Sequence, residues 1–283
     1  MSSSGTKIRA AVKRTLNRAL RPTGARVITR QEWRTQAGRR QIVVDQLVDL
    51  FEAEILPELE PREGRRELVH RLIGTEIPEA MYLIYNLQLS LTGPGDICEM
   101  GVAQGATSAL IANEIAATDK TLWLYDSFEG LSAPSAEDVL IDDPLGLGSM
   151  ESYAGSMMVG AESVQKRLRE IRFPASRTRI VKGFIEPDLI AEQLPHQVAF
   201  AYLDFDLYEP ILTGLRLMHS RTRPGSVLMV DDFRFLSAGV EAAVREFLAE
   251  HEDLYSLWEA PGYAGHFCVL QRGGAKESEV GTT

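Results

Sequence analysis

Cysteine is nearly absent from this chain. Cys98 and Cys268 stand alone, far apart and outside any C-x-x-C spacing. That excludes a disulfide framework and a thiolate metal site, and a reducing cytoplasm is the expected home. No apolar run reaches the ~18 residues of a membrane span. The five histidines are scattered and offer no clustered zinc site. Acidic residues outnumber basic ones by 40 to 30, and beyond residue 40 no basic patch interleaves with aromatics, so no nucleic-acid partner is expected.

What is present divides by charge. Residues 1–40 carry eleven Lys or Arg against the single acid Glu32, so the net charge of −10 conceals a basic arm on a strongly acidic body. In the arm, Ile8, Val12, Leu16 and Leu20 recur at i+4 while Lys7, Arg9, Lys13, Arg14 and Arg18 take other faces. This is the pattern of a basic amphipathic helix, which can make peripheral contact with anionic lipid or dock on the acidic body or a sister subunit. The Ser-rich, acid-poor start is also like an organelle transit peptide, without the apolar core of a secretory signal.

Residues 41–92 read as a helical cap. One helix ends at Pro57, a second begins near Glu67, and a third runs from Pro78 to Leu91. These helices can pack on the sheet, close over a substrate or form a dimer contact, and a homo-oligomer is expected. Residues 93–272 read as one α/β domain, with a long Gly/Pro/Ser-rich insertion at 131–163 suited to a lid and a disordered tail at 273–283.

Within the α/β domain, strands end in acid. Asp96–Glu99 leads into Met100-Gly101-Val-Ala-Gln-Gly105-Ala-Thr107-Ser108 and then a helix. Glycines let the backbone approach a ligand, and the helix start presents free N–H groups. The spacing is acid-x-Gly-x-x-x-Gly, unlike Gly-x-Gly-x-x-Gly, and an acid there favours an amine over a pyrophosphate. The second strand, Thr121–Tyr125, ends in Asp126-Ser127-Phe128-Glu129-Gly130, where an acid can take both ribose hydroxyls of an adenosine. Thr178–Gly183 is a third strand. Phe200–Leu203 then runs into Asp204-Phe205-Asp206-Leu207-Tyr208, and Ser226–Val230 into Asp231-Asp232. Continuous apolar runs of this length read as buried parallel strands. Two carboxylates ~4 Å apart repel by roughly 4 kcal/mol at an effective dielectric near 20, so these acids call for a cation, a proton or arginine neighbours. His266 opens a last strand, His266–Leu270, near the same crevice; Arg234 and Tyr208 are candidate substrate contacts.

Together, Glu99-x-Gly101-x-x-x-Gly105, Asp126-Ser-Phe-Glu-Gly130, Val181-Lys-Gly-Phe184, Leu203-Asp-Phe-Asp-Leu-Tyr-Glu209 and Pro224-Gly225 through Val230-Asp-Asp232 resemble the macrocin and mycinamicin sugar O-methyltransferase family over about residues 68–272. The resemblance implies a doubly wound, Rossmann-like class I methyltransferase sheet, mostly parallel with an antiparallel last strand and N-terminal helices added. It implies S-adenosylmethionine and Mg²⁺ as cofactors and a hydroxyl of a sugar or glycosylated natural product as acceptor. It further implies Asp204, Asp231 and Asp232 as metal ligands and Asp206 as the base. Glu99, Gly101, Gly105, Thr107, Ser108, Asp126, Ser127 and Phe128 would hold the cofactor. The chain departs from the family at Pro210, where serine is common, and at Phe184-Ile-Glu-Pro187, where Asp-Thr-Leu is usual. Two other readings stand beside it: a glycosyltransferase using Asp204-x-Asp206 with a divalent ion, and a non-catalytic module gripping lipid or nucleic acid through its arm.

Overall fold

The structure, a computed structural model, describes residues 30–187 and 191–273, without the side chains of 30–37 and 191. The first 29 residues of the basic arm and the tail after Gly273 lie outside the described residues. The chain divides into two compact units, residues 1–47 and 48–283. Helix α1 (Arg30–Leu50) lies mostly in the first.

The second unit holds helices α2 (Arg65–His70), α3 (Ile77–Ser90), α4 (Ala106–Glu114), α5 (Ala161–Glu170), α6 (Tyr208–His219) and α7 (Ala238–Glu250). Its strands are β1 (Asp96–Met100), β2 (Leu122–Asp126), β3 (Thr178–Lys182), β4 (Val198–Leu203), β5 (Val227–Val230), β6 (Tyr255–Glu259) and β7 (Cys268–Arg272). They form one sheet in the order β3-β2-β1-β4-β5-β7-β6. The first five strands are parallel, and β7 runs antiparallel between β5 and β6. All six residues of β4 are buried, as its unbroken apolar run requires of a central strand covered on both faces.

Side chains alternate across the sheet. Cys98, Met100, Ala201, Leu203, Leu228 and Val230 join the core formed with α6 and α7. The alternate positions, Glu99 and Tyr202 among them, therefore belong to the face on which α3 packs across β4 and β5. The start of this unit is fastened to α4 by Arg65, which is buried and donates to both oxygens of Glu114 at 2.8 and 2.9 Å and to Glu52 at 2.9 Å. A buried pair of this kind specifies geometry more than it stabilises.

Two edges differ from the expectation. β6 is unforeseen: Tyr255–Glu259 is a half-exposed edge strand with no continuous apolar run to mark it. The last strand opens at Cys268, two residues later than His266, because the His266 carbonyl accepts from Phe233 N at 2.7 Å outside the sheet ladder.

Candidate active site

The strand order reverses between β1 and β4, whose outward crossovers leave a crevice at their carboxyl ends. The register aligns those ends: Met100 pairs with Leu203, and Leu203 with Val230. Gly101, Asp204 and Asp231 are the next residues of their strands, so three chain segments turn out of the sheet at one level. Each nearby turn contains a non-glycine residue in the left-handed region: Ala103 after β1, Phe128 after β2, Asp206 after β4 and Asp232 after β5. Such a backbone costs about 1–2 kcal/mol per residue and concentrates where geometry serves a site.

The glycines are needed first for chain against chain. At Gly101 (φ +85°) a Cβ would lie 1.7 Å from the Asp204 carbonyl oxygen, and Asp204 N donates to the Met100 carbonyl at 2.7 Å. At Gly105 (φ +74°), which precedes α4, a Cβ would meet Val164 Cα of α5 at 3.0 Å. The turn is thus pinned against the metal-candidate loop on one side and α5 on the other.

Glu99 is fully buried. Thr107 Oγ1 donates to its Oε1, while its Oε2 has no hydrogen-bond partner and the Ser108 hydroxyl lies close by outside bonding geometry. Burial pushes the carboxyl up to about 7, against the steadying effect of Ser108 and Thr107. An orphaned buried carboxylate oxygen at the mouth of a strand fits a cationic ligand group. Asp126 sits differently from the expected ribose acceptor. Its Oδ2 accepts from Val102 N and Ala103 N at 2.7 and 2.8 Å, and its Oδ1 from Phe128 N at 2.6 Å. Three backbone donors make it the clamp that shapes the glycine turn, with lone-pair capacity left for a ligand. Ser127 is likewise engaged locally: its hydroxyl donates to Gly130 O at 3.2 Å and accepts from Glu129 N at 3.0 Å.

The aspartates converge. One carboxylate oxygen each from Asp204, Asp206 and Asp232 lies within 4.8 Å of the others, below the surface but partly open to solvent. Asp231 falls outside that set although it contributes most of the charge repulsion felt by Asp204. Its Oδ2 accepts from the Tyr202 hydroxyl and its Oδ1 from Asp232 N at 2.9 Å. Desolvation raises the carboxyl groups of all four above their ordinary range, and mutual repulsion adds to this for Asp204 and Asp232. Asp206 and Asp232 lie close enough for their carboxyl groups to share a proton. Among the described residues no Lys or Arg forms an ion pair with any of the four. Crowded, uncompensated, all-oxygen donors suit a hard divalent cation such as Mg²⁺ rather than zinc.

Other candidates are directed elsewhere. Arg234 pairs with Glu241 and Glu259, and the Tyr208 hydroxyl donates to Glu246. His266 stacks on Phe235 with ring centroids 4.8 Å apart. The sequence reading missed Glu79, a buried acid of α3 within hydrogen-bond reach of Tyr202 and Asp231. The available signal was slight, since an acid just after Pro78 reads as an ordinary first-turn residue. The insertion is docked rather than free-standing. Met150 and Tyr153 pack on Leu207 and Leu236 beside the site, and Leu140 bridges to Ser237.

A family model described as macrocin-O-methyltransferase (TylF) matches residues 68–257. The chain is 25% identical over 183 residues to 8-demethyl-8-(2,3-dimethoxy-alpha-L-rhamnosyl)-tetracenomycin-C 4'-O-methyltransferase of Streptomyces olivaceus, covering 62% of this chain and 69% of the relative. It is 23% identical over 201 residues to mycinamicin III 3''-O-methyltransferase of Micromonospora griseorubida, covering 70% and 76%. Among solved structures, the O-methyltransferase NovP aligns with a TM-score of 0.60 at 19% identity, over 83% of this chain and 100% of that one. The calicheamicin methyltransferase CalS11 aligns at 0.57 and 20% identity, over 88% and 95%. At those identities the structural likeness speaks to the fold.

Proposed function

The chain belongs to the macrocin O-methyltransferase family, and on that premise we propose that it moves the methyl group of S-adenosylmethionine to a hydroxyl of a sugar or glycosylated natural product, with Mg²⁺ held at the aspartates. The observation that carries this reading is the convergence of Asp204, Asp206 and Asp232 within 4.8 Å at the switch point, one strand away from the orphaned Glu99 carboxylate. Relatives named for a rhamnosyl-tetracenomycin and for mycinamicin III support a glycosylated acceptor.

When bound, S-adenosylmethionine supplies a methyl already activated on a sulfonium, and Mg²⁺ supplies the charge that makes a poor nucleophile, a sugar hydroxyl, more acidic. The residues of the chain do the rest. Glu99 would receive the cofactor's ammonium, and Asp126, which shapes the glycine turn, would offer its remaining lone pairs to the ribose. Gly101, Gly105, Thr107, Ser108, Ser127 and Phe128 shape that cradle. Asp204 and Asp232 would hold the cation, with Asp231, just outside their 4.8 Å set, as the third ligand. Asp206, which stands two residues further out and within 4.8 Å of Asp204 and Asp232, accepts the acceptor's proton. Holding acceptor and methyl donor in line supplies the remaining rate enhancement. The insertion beside Asp206 helps to keep water out.

The test is transfer of labelled methyl from S-adenosylmethionine to a panel of glycosylated extracts, with Mg²⁺ or with chelator. Metal-dependent label in a glycosylated product is the expected result. Binding of UDP- or dTDP-sugars with no binding of S-adenosylmethionine would overturn the proposal.

A further inference from the structure

Glu79 has no conventional reason to be where it is. It lies on the buried face of α3 among Ala80, Met81, Leu83 and Ile84 and is only 6% exposed. Among the described residues no Lys or Arg pairs with it. A buried acid without a counter-charge is costly and is tolerated only where its oxygens are hydrogen-bonded. Helix capping does not account for it either. Glu79 stands at the third helical position after the N-cap Glu76, where a capping-box acid reaches back to the N-cap, yet no side-chain cap bond forms there.

Its carboxyl points the other way, into the aspartate site. The Tyr202 hydroxyl, projecting from β4 onto the α3 face of the sheet, lies within hydrogen-bond distance of Glu79 Oε1 (3.1 Å) and of Asp231 Oδ2, and shares its one proton between them. Glu79 and Asp231 also lie close enough for their carboxyl groups to share a proton. Three oxygens from three separate elements thus meet at one point. The chain makes room for them on the far side as well. Gly265 (φ +113°) passes so close that a Cβ there would lie 3.2 Å from both Glu79 Cβ and Oε2. One turn along α3, the Tyr82 and Tyr263 hydroxyls bond at 3.0 Å and fasten the same helix to the same loop.

We propose that Glu79 is a positioning residue of the metal site: with Tyr202 it grips Asp231 and fixes the direction in which that carboxylate presents its free lone pairs. The proposal rests on the metal reading above. Asp231 Oδ1 is held by Asp232 N and Oδ2 by Tyr202, which in turn reaches Glu79, so both oxygens of the carboxylate are tied in place. Partners behind a metal-binding carboxylate orient it, and their loss typically weakens metal affinity about 10–100-fold. The helical cap then forms part of the metal site and does more than cover it.

The experiment measures Mn²⁺ affinity, as a paramagnetic stand-in for Mg²⁺, by electron paramagnetic resonance on the unaltered protein and on Glu79→Gln, Glu79→Ala and Tyr202→Phe. S-adenosylmethionine affinity and thermal unfolding are followed in parallel. Glu79→Gln keeps a donor of the same length and should hold Mn²⁺ within about threefold of the unaltered protein. Glu79→Ala should weaken Mn²⁺ by about tenfold or more without altering cofactor affinity. Tyr202→Phe, which leaves Asp231 its bond from Asp232 N and its contact with Glu79, should fall between. Mn²⁺ affinity in Glu79→Ala equal to or tighter than normal would overturn the inference. So would an equal loss in Glu79→Gln and Glu79→Ala, which would make the charge a ligand. If Glu79→Ala fails to fold, the comparison of Glu79→Gln with Tyr202→Phe decides: loss in the former and none in the latter overturns the grip. Absence of Mn²⁺ binding by the unaltered protein would instead overturn the proposed function, and this inference with it.

Discussion

An aspartate just past a strand end can hold a cation or take a proton, and Asp204 and Asp206 are proposed to divide those tasks. Asp204 leaves β4 with its amide tied to the Met100 carbonyl, whereas Asp206 lies in a left-handed turn, close enough to Asp232 for the two carboxyl groups to share a proton. Asp204→Asn should therefore weaken Mg²⁺ binding and recover part of its activity at high metal. Asp206→Asn should bind Mg²⁺ and cofactor yet lose turnover about 10²–10⁴-fold, the contribution of a positioned base. Titration of Mg²⁺ with turnover measured at saturation distinguishes them, and full rescue of Asp206→Asn by metal would make Asp206 a ligand in place of Asp231. Glu99 offers a second test at this scale. Its carboxyl is raised to about 7, and only its ionised form pairs with the cofactor's ammonium. Cofactor affinity should fall as pH drops through 7, and calorimetry on Glu99→Gln should find weaker binding with that pH dependence gone. A pH-dependent fall that survives in Glu99→Gln would remove Glu99 from the amine site.

At the scale of elements, the insertion owes its place to one buried acid. Asp138 accepts from Ser135 N at 2.8 Å, from Tyr208 N at the start of α6 at 2.9 Å, and from Ser237 Oγ, the N-cap of α7, at 2.7 Å. A carboxylate at two helix starts is favoured by both dipoles and by the free N–H groups there. At Gly239 a Cβ would lie 2.0 Å from Asp138 Oδ1, so the fit admits no side chain. Asp138→Ala should destabilise the protein by about 2–4 kcal/mol through orphaned buried donors. It should also expose residues 131–163 to protease at concentrations that leave the unaltered protein cut only around its exposed tip. Cleavage with the same pattern in both proteins would show that the insertion is held by its apolar contacts alone. Those contacts, Met150 and Tyr153 on Leu207 and Leu236, follow the chain away from Asp206 and Asp232, so a mobile insertion should also raise the KM for acceptor.

For the molecule as a whole, the site is a store of repulsion. Glu79, Glu99 and the four aspartates all have carboxyl groups raised in the folded state, chiefly by burial. A raised carboxyl favours folding while protonated, so its contribution is complete below the ordinary carboxylate range and is lost as pH rises through the folded value. For Glu99 that window runs from 4.5 to about 7. In chelator, unfolding temperature should fall as pH rises from the acid side to neutrality. Asp232→Asn, relieved of one buried charge, should unfold later than the unaltered protein at neutral pH, by about 2–4 °C per kcal/mol recovered. Mg²⁺ at about 100 times its Kd should stabilise the unaltered protein by ~2.7 kcal/mol and reverse the ranking. Differential scanning fluorimetry across pH, with metal and with chelator, reads all three; a ranking that ignores Mg²⁺ would argue against a cation at these aspartates.

The sequence by itself determined the five parallel strands and the acids at their ends. Apolar runs of four to six residues bounded by acids and turn residues read as buried strands, and an acid at or just beyond the end of such a run lies at the sheet's carboxyl edge. Glu99, Asp126, Asp204, Asp206, Asp231 and Asp232 were legible for that reason, as was the order strand, glycine turn, helix. Tertiary structure alone decided what each acid touches. Asp126 turns its oxygens to the glycine turn 23 and 24 residues earlier, and Tyr202 reaches Glu79 across 123 residues of chain. A periodicity reports which face of its own element a side chain takes, while a hydrogen bond of about 3 Å depends on which distant element is packed against that face. Glu79 therefore reads in the sequence as a solvated acid in a helix's first turn, and becomes part of the site only when α3 is laid across β4 and β5.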